Sequence, residues 1–344
     1  MRILCVGPMW RGSNAGGLFR AFSREKCIME VIDEFYFLSL RSEDKKLKIG
    51  ERLLRPWQQV SYNNAIIKQI KVFKPEIVFV YKGVFVQPST LQYARLHGCK
   101  LVLFYPDVST TAHGPNIPNS IPLYDLIFTT KTFGIKDYQE KYNVKKTCFI
   151  PHGFDPEIHR PLMITDKDMA VFGCDVSFIA VWSPKKEKLL AYLKEKLPEI
   201  NLKVWGGQWE KTTSAVLKSS IQGMPVIGDL YAMAIQCSKI NLGILSERVE
   251  GASSGDLITS RTFHIPGAKG FMLHERNEES VLYYKEDEEV VFFDGQEELV
   301  EKVKKYLAQP ALREKICLAG HNRAVADHSL DARARVVIKQ MQQL

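Results

Sequence analysis

The sequence has no long apolar run and no clustered cysteines. Nothing in it approaches the roughly 18 uninterrupted apolar residues of a transmembrane helix, and no apolar stretch of signal-peptide length follows Met1. The seven cysteines are scattered and form no CxxC pair, so neither a zinc finger nor a disulfide framework is indicated. We therefore expect a cytoplasmic protein with reduced, buried thiols and no transmembrane segment.

Two ligand-binding patterns are also missing. The loop after the first apolar strand has glycines at positions 7, 12, 16 and 17, which is not the GxGxxG spacing of a dinucleotide site. The DxD pattern at Asp166–Asp168 comes just after a linker instead of at the end of a strand, so we interpret it as a loop. The sequence thus requires neither a redox cofactor nor a metal.

Positive charge is concentrated in the first half of the chain. The net charge is +8, and residues 1–155 alone hold 22 Lys and Arg against 13 Asp and Glu, whereas residues 156–344 are nearly neutral. Basic surface attracts polyanions, either nucleic acid or an anionic membrane. The alternative is a solvated basic surface without a partner.

Strand and helix patterns alternate along the 344 residues, which predicts an α/β protein of two domains with parallel sheets. Residues 151–161 contain three prolines and a glycine and read as a domain linker. We expect one domain over 1–155, a second over 156–329 and a C-terminal helix over 330–344. Predicted elements include helix Leu18–Arg24 and strands Met29–Leu38 and Pro225–Ile227.

The segment Asp256–Gly270, DLITSRTFHIPGAKG, reads as a loop that enters a helix and is followed by an apolar strand. The N-terminus of a helix offers free N–H groups and a partial positive charge, which suit a phosphate. Arg261 in the first turn adds a forked donor for phosphate oxygens. Ser260 and Thr262 flank it, so these three residues are candidate ligands of a diphosphate.

Residues 260–335 resemble the C-terminal domain of group-1-type glycosyltransferases of the spore-maturation-protein branch. The motif RTFHIPGAKGFMLHERNEE and the later helix EELVEKVKKYL carry the resemblance, and the linker IPHGFDPEIHRP is similar to the IPNGVDxxxFxP crossing of the wider family. The resemblance implies the GT-B architecture. Two Rossmann-like domains then face each other across a cleft, and the final helix returns to the first domain.

The resemblance also implies a nucleoside diphosphate-sugar as co-substrate, with a UDP-sugar preferred, and no required cofactor. Retaining relatives carry two glutamates separated by seven residues, the first near the donor sugar and the second on the ribose. The matching positions here are Asp256 and His264. Alternatively, Asp256 caps the helix and His264 is a packed side chain.

Further donor and acceptor residues follow from the same architecture. Relatives place a basic phosphate ligand at a strand-to-helix turn like the one before Lys185 and Lys186, although a solvated lysine pair is the simpler interpretation. Gly16 and Gly17 would let the first loop approach the donor phosphates, with Trp10 and Arg11 on the acceptor side.

Asp107 and His113 follow a buried-looking strand, where functional residues of parallel sheets gather, and they are candidate acceptor contacts or proton acceptors. An Asx-type turn and a surface histidine are the alternative. His152, in the linker, is a weaker candidate.

Two aromatic residues, Trp209 and Tyr231, follow turns of the second domain. Either could stack on the nucleobase, although core packing is the commoner role.

The sequence therefore predicts a metal-independent glycosyltransferase, with retention of configuration and an anionic acceptor. That acceptor is a cell-envelope glycan or lipid, with peripheral membrane contact, or DNA carrying a hydroxylated base. A sugar-nucleotide epimerase and a non-catalytic binding module on the same fold remain as alternatives.

Overall fold

The computed structural model describes residues 1–38 and 45–344, which divide into two compact units. Unit 1 contains Met1–Pro151, Arg248–Ser254 and Asp331–Leu344. Unit 2 contains His152–Glu247 and Gly255–Leu330.

Unit 1 is built on a parallel sheet in the strand order β2-β1-β3-β4-β5-β6. Its central strands are apolar and buried on both faces, as parallel sheets covered by helices require. Within the described residues, the strands are β1 (Arg2–Gly7), β2 (Ile28–Asp33), β3 (Ile77–Tyr81), β4 (Lys100–Tyr105), β5 (Leu126–Thr129) and β6 (Thr147–Phe149).

The helices of unit 1 include one from the end of the chain. Arg24 pairs with Asp331 at 2.6 Å and Glu25 with Arg335 at 3.0 Å, which fixes the C-terminal helix on unit 1. In the described part of this unit the helices are α1 (Asn14–Arg24), α2 (Glu34–Leu38), α3 (Lys45–Phe73), α4 (Pro88–Leu96), α5 (Asn116–Ser120), α6 (Gly134–Tyr142) and α13 (Leu330–Met341), of which α13 begins at the last residue of unit 2.

Unit 2 has a second parallel sheet, in the order β11-β10-β9-β7-β8. Its strands are β7 (Cys174–Ile179), β8 (Leu202–Trp205), β9 (Ser238–Gly243), β10 (Met272–Glu275) and β11 (Val291–Phe293). Its helices are α7 (Asp166–Phe172), α8 (Pro184–Lys196), α9 (Asp229–Gln236), α10 (Ser260–Gly267), α11 (Gly295–Leu307) and α12 (Pro310–Asp327). The two parallel sheets confirm the predicted α/β class with two Rossmann-like halves.

The predicted strand Met29–Leu38 is wrong in its second half. β2 ends at Asp33, and Glu34–Leu38 forms α2. The Asp33 carboxylate accepts the N–H groups of Phe35 and Met9, each at 2.9 Å. This side chain satisfies the first turn of α2, so the chain turns into a helix despite the β-favouring aromatic residues that follow.

Two other local predictions need correction. Pro225–Ile227 is irregular, because strand β8 makes its bridge at Ile221 and the N–H of Gln222 donates to the Val204 carbonyl at 3.0 Å. Asp166 and Asp168 are not a loop. They begin α7, where the Asp168 carboxylate accepts the N–H of Thr165 at 2.9 Å in a capping box.

Candidate functional site

Arg261 lies in the first turn of α10, close to the end of β9. Its Nη2 donates to the Ile244 carbonyl at 2.8 Å, and its guanidinium carbon lies 5.5 Å from the centre of the Phe178 ring. Burial lowers the pKa of Arg261. Its Nε is buried and has no hydrogen-bond partner among the described residues. An unsatisfied charged donor is costly, so this atom is suited to an anionic ligand.

Lys186 is a second buried cation of the same neighbourhood. It lies in the first turn of α8, and its Nζ donates to the Val181 carbonyl at 3.2 Å and to the Ser246 hydroxyl at 3.0 Å. Burial and, to a smaller extent, the positive charge of Arg261 lower its pKa to about 8. These two cations are therefore close enough to repel each other, which a bound diphosphate would relieve.

Lys185 has a different environment from its neighbour. Its Nζ pairs with Glu275 at 2.6 Å, and its backbone N–H donates to Glu247 at 2.8 Å. Glu247 also accepts the hydroxyl of Ser183 at 2.7 Å. Burial raises the pKa of Glu247, but these hydrogen bonds outweigh it and lower the pKa overall. Lys185 thus already has a carboxylate partner in Glu275, and its N–H bond to Glu247 helps to fix the start of α8.

Asp256 lies near these cations. Its negative charge raises the pKa of both Lys186 and Arg261. It is not the N-cap of α10, since Thr259 occupies that position. The backbone N–H of Asp256 donates to the Ser246 carbonyl at 3.0 Å, which ties the loop to the residue that Lys186 contacts. The structure thus brings together Asp256, Lys186 and Arg261.

His264 is one turn further along α10 and is buried against other rings. It stacks on His159 with centroids 3.7 Å apart, and the Tyr231 ring meets it edge-on at 5.7 Å. Burial, and then the proximity of His159, holds the pKa of His264 well below its ordinary value, so the imidazole is neutral. Its Nε2 has no partner within the described chain and is able to take one hydrogen bond from a ligand.

Tyr231 belongs to the same cluster as His264. Burial raises the pKa of Tyr231 to about 12, while the charge of Arg261 acts in the opposite direction. Trp209, by contrast, is only 2 % exposed and donates its indole N–H to the Ala180 carbonyl at 2.9 Å. It packs edge-on against Phe178, the ring under Arg261. Trp209 therefore has the core-packing role, and it packs against the Phe178 ring that contacts Arg261.

Thr262 and a histidine that the sequence analysis missed hold the start of α10 in place. Thr262 is fully buried, accepts the Thr259 N–H at 3.1 Å and lies 2.9 Å from Nε2 of His274. The Nδ1 of His274 lies 2.6 Å from the Glu275 carbonyl, which makes Nδ1 the donor and Nε2 the acceptor. Thr262 is thus a structural residue, and burial lowers the pKa of His274 to about 4.

Glycine at position 243 makes room for this histidine. A Cβ there would lie 2.4 Å from Cδ2 of His274. Ser260 is half-buried, with its hydroxyl 3.3 Å from Nδ1 of His152. His152 is therefore next to the first residue of α10.

Unit 1 has its own cluster of charged residues at the carboxyl ends of β3 and β4. Asp107 accepts from Lys82 Nζ and from His113 Nε2, both at 2.7 Å. Burial raises the pKa of Asp107, but the bonds from His113 and Lys82 outweigh it and hold the pKa far below its usual range. The sequence analysis missed Lys82, whose backbone is left-handed at φ 67°. Its place after β3, beside β4, was the available signal.

Gly16 and Gly17 are not in a loop, because α1 begins at Asn14 instead of Leu18. The N-cap Ser13 accepts the N–H of Gly16 on its hydroxyl at 2.9 Å and that of Gly17 on its carbonyl at 3.0 Å. These amides are thus used inside the helix cap. Trp10 and Arg11 precede it and are exposed.

Two kinds of feature are absent from the described residues. No helix in the described ranges is long and apolar enough to cross a membrane. No group of three or more His, Cys, Asp or Glu side chains there has the geometry to hold a metal ion.

Comparison with known proteins agrees with this architecture. Residues 185–339 match the family model described as glycosyl transferase-like. The fold is similar to that of a glycosyltransferase from Rickettsia africae ESF-5, with a TM-score of 0.66 and 14% identity over 99% of this chain and 98% of that one. It is also similar to HepE of Anabaena in complex with UDP-glucose, with a TM-score of 0.67 and 11% identity over 100% of both chains.

A putative UDP-N-acetylglucosamine 2-epimerase from Listeria monocytogenes shares the fold at a TM-score of 0.56 and 9% identity, covering 99% of this chain and 95% of that one. A search of curated protein sequences gives no match. The fold is the GT-B fold, and residues 185–339 match the glycosyl transferase-like family. The spore-maturation-protein branch stays a prediction.

Proposed function

We propose that the protein transfers a sugar from a nucleoside diphosphate-sugar, preferably a UDP-sugar, to an acceptor. The observation that carries this proposal is the pair Lys186 and Arg261. Both are cations in a buried environment, and their hydrogen bonds go to neutral carbonyl and hydroxyl oxygens. Neither forms an ion pair with a carboxylate in the described part of the chain. A diphosphate would supply the directly bonded negative charge that the nearby Asp256 does not.

The chemistry follows from the charge that develops on the leaving group. As the bond from sugar to phosphate breaks, the nucleoside diphosphate gains negative charge, which preorganised cations stabilise. Lys186 and Arg261 supply those cations from the protein, so we propose that transfer needs no metal. Asp256 would contact the donor sugar, and the neutral His264 would donate to or accept from the ribose. Tyr231, edge-on to His264, would border the base.

We propose that the acceptor binds to unit 1 and that configuration is retained. The Asp107 carboxylate is bonded to Lys82 and His113 and has a lowered pKa, which makes it a weak base. It is better suited to position an acceptor hydroxyl than to remove its proton. In a retaining transfer the departing phosphate accepts that proton. Residues 1–155 would then bind the acceptor and residues 156–329 the donor. Residues 330–344 would form the helix that returns to the first domain.

The nature of the acceptor is proposed from charge. Residues 1–155 carry the whole positive surplus of the chain, which favours an anionic acceptor such as a cell-envelope lipid or glycan. DNA with a hydroxylated base would satisfy the same charge. Vesicle and duplex binding separate these two, as described below.

The donor is tested by isothermal titration of the purified protein with UDP, ADP and GDP. We expect UDP to bind most tightly and without added divalent metal. A well-folded sample that binds none of the three would overturn the proposal. Incubation with UDP-sugars and no acceptor separates the epimerase alternative, since an epimerase converts the free donor and a transferase at most hydrolyses it slowly.

A further inference from the structure

The outward face of α3 changes character along its length. Its first half exposes apolar side chains, and Trp57 and Leu53 are 77 % and 72 % exposed. At 100° per residue these apolar positions fall within about one third of the helix circumference. They are Leu53, Leu54, Trp57 and Val60. The same face is polar further on, where Ser61, Asn64 and Lys68 are exposed.

The exposed apolar residues of α3 are not the ones that build the core. Tyr62, Ile66 and Ile70 are buried and lie on the opposite side of the helix. Single exposed apolar residues are ordinary on a protein surface, but four on one face form a patch. The face is thus available to a partner without any change in the core of unit 1.

The neighbouring helix α2 also exposes aromatic side chains. The Phe37 ring packs on Tyr62 of α3 with centroids 5.6 Å apart, which places α2 beside α3. Phe35 and Tyr36 are exposed. Because Tyr62 lies on the buried side of α3, α2 packs on that side and is separate from the exposed face of Leu53, Leu54, Trp57 and Val60.

The charge of α3 indicates what covers this face. Its sequence holds seven basic residues and a single acidic one, Glu51. Five of the basic positions precede Trp57, in the same part of the helix as the apolar patch. The basic residues are Lys45, Lys46, Lys48, Arg52, Arg55, Lys68 and Lys71. Tryptophan and leucine on one face of a basic helix are typical of helices that lie in the interface of an anionic membrane.

We propose that the first half of α3 forms a docking surface for an anionic phospholipid bilayer. The exposed apolar side chains would enter the acyl boundary, and the positive charge of the α3 sequence would favour anionic headgroups. Duplex DNA would use the basic residues but leave Leu53 and Trp57 in water, and a second copy would bring two basic helices together. The bilayer satisfies both features. This surface goes beyond the proposed transfer and does not depend on it.

The test is sedimentation of the full chain with vesicles of phosphatidylcholine, with and without phosphatidylglycerol. We expect binding only with the anionic lipid. The double variant Leu53→Ser, Trp57→Ser should lose at least about tenfold in affinity, because two inserted side chains are removed. Leu96→Ser removes an 84 % exposed leucine from α4 and is the matched control, expected to bind like the parent.

Three outcomes would overturn this proposal. Equal vesicle binding of the parent and the double variant would show that Leu53 and Trp57 do not contact the bilayer. Binding to duplex DNA that the double variant loses would assign the face to nucleic acid, and a parent dimer that the variant dissolves would assign it to a second copy. UDP titration of the same variant keeps the donor proposal separate, because UDP affinity should be unchanged.

Discussion

The two charged clusters of this molecule differ in how their cations are satisfied. In unit 1, Lys82 faces the carboxylate of Asp107 at 2.7 Å, and His113 bonds the same carboxylate. In unit 2, Lys186 and Arg261 donate to neutral carbonyl and hydroxyl oxygens, and among the described residues the Asp256 carboxylate lies near both cations without an ion pair to either. A cluster that already contains its counter-charge has no need of an anionic ligand, whereas the second cluster is completed by one.

This difference does not follow the net charge of the two halves. The half with the large positive surplus contains the paired cluster, and the nearly neutral half contains the unpaired cations. Part of the surplus in unit 1 is on α3 instead. Counting charges by domain thus indicates which surface attracts polyanions. The candidate phosphate site is found instead from the buried cations that form no ion pair among the described residues.

The largest expected effect comes from Arg261. Its removal takes away one of the two cations that distinguish the cluster of unit 2 from the paired cluster of unit 1. We expect Arg261→Ala to lower kcat by about 100- to 1,000-fold, because charge on the leaving diphosphate is no longer stabilised. Arg261→Lys should recover only part, since the fork geometry is lost. Steady-state kinetics and UDP titration measure both.

The matched control for Arg261 is Lys239→Gln, which removes an exposed cation of unit 2 paired with Asp175. It should keep parental kinetics. Circular dichroism separates loss of fold from loss of function, because Arg261 also contacts Ile244 and Phe178. A folded Arg261→Ala protein with normal UDP affinity and rate would indicate that the phosphates bind elsewhere.

A smaller effect is expected from breaking the pair in unit 1. Asp107→Asn should lower kcat/KM for the acceptor by about 10- to 100-fold and leave UDP affinity within about twofold, since this cluster is assigned to the acceptor. His113→Asn should cost only about threefold. A loss of about 100-fold or more in His113→Asn would make this residue a general base and contradict retention. The anomeric configuration of the product, read by NMR, decides independently.

The third effect is a pH dependence that only the unpaired cluster should show. The pKa of Lys186 is about 8 in the free protein, and a bound diphosphate would raise it. UDP affinity should therefore fall as pH rises above 8, by up to about tenfold per pH unit. Titration of UDP binding from about pH 7 to about pH 10 measures this. Lys186→Arg should flatten the profile, and an unchanged profile in that variant would exclude Lys186 as the titrating group.

The stability of the donor-free protein should change in the opposite direction. The folded pKa of Lys186 is below its ordinary value of 10.5, so the unfolded chain binds more protons between pH 8 and 10.5. This group therefore favours the folded state increasingly as pH rises through that window. Lys186→Arg removes this contribution, and chemical denaturation at the two ends of the window compares the two proteins.

Local sequence signals predicted much of the fold. The alternating strands and helices gave both parallel sheets, and the segment that contains Arg261 does enter a helix. Signals failed where a single polar side chain decides the conformation. Asp33 starts α2 within a run of aromatic residues, and Ser13 draws Gly16 into α1. These hydrogen bonds outweigh the propensities from which the elements were predicted.

The candidate site was predictable only in part, because its contacts join distant segments. Arg261 and Lys186 could be named as phosphate ligands from their places at helix starts. Their mutual proximity, and the support of α10 by His274, depend on neighbouring strands of the sheet. Lys82 was missed because its partner Asp107 is 25 positions away in sequence and one strand away in the sheet.

The division of the chain into units has a consequence for its biosynthesis. Unit 1 is assembled from three separate stretches, the last of which is Asp331–Leu344. A ribosome that has completed residue 151 has therefore not yet supplied all of the first unit, because Asp331–Leu344 is translated after the whole of unit 2. The usual order, in which the leading domain matures while the rest is translated, cannot run to completion here, and a chain cut after Leu330 would contain all of unit 2 but an unfinished unit 1.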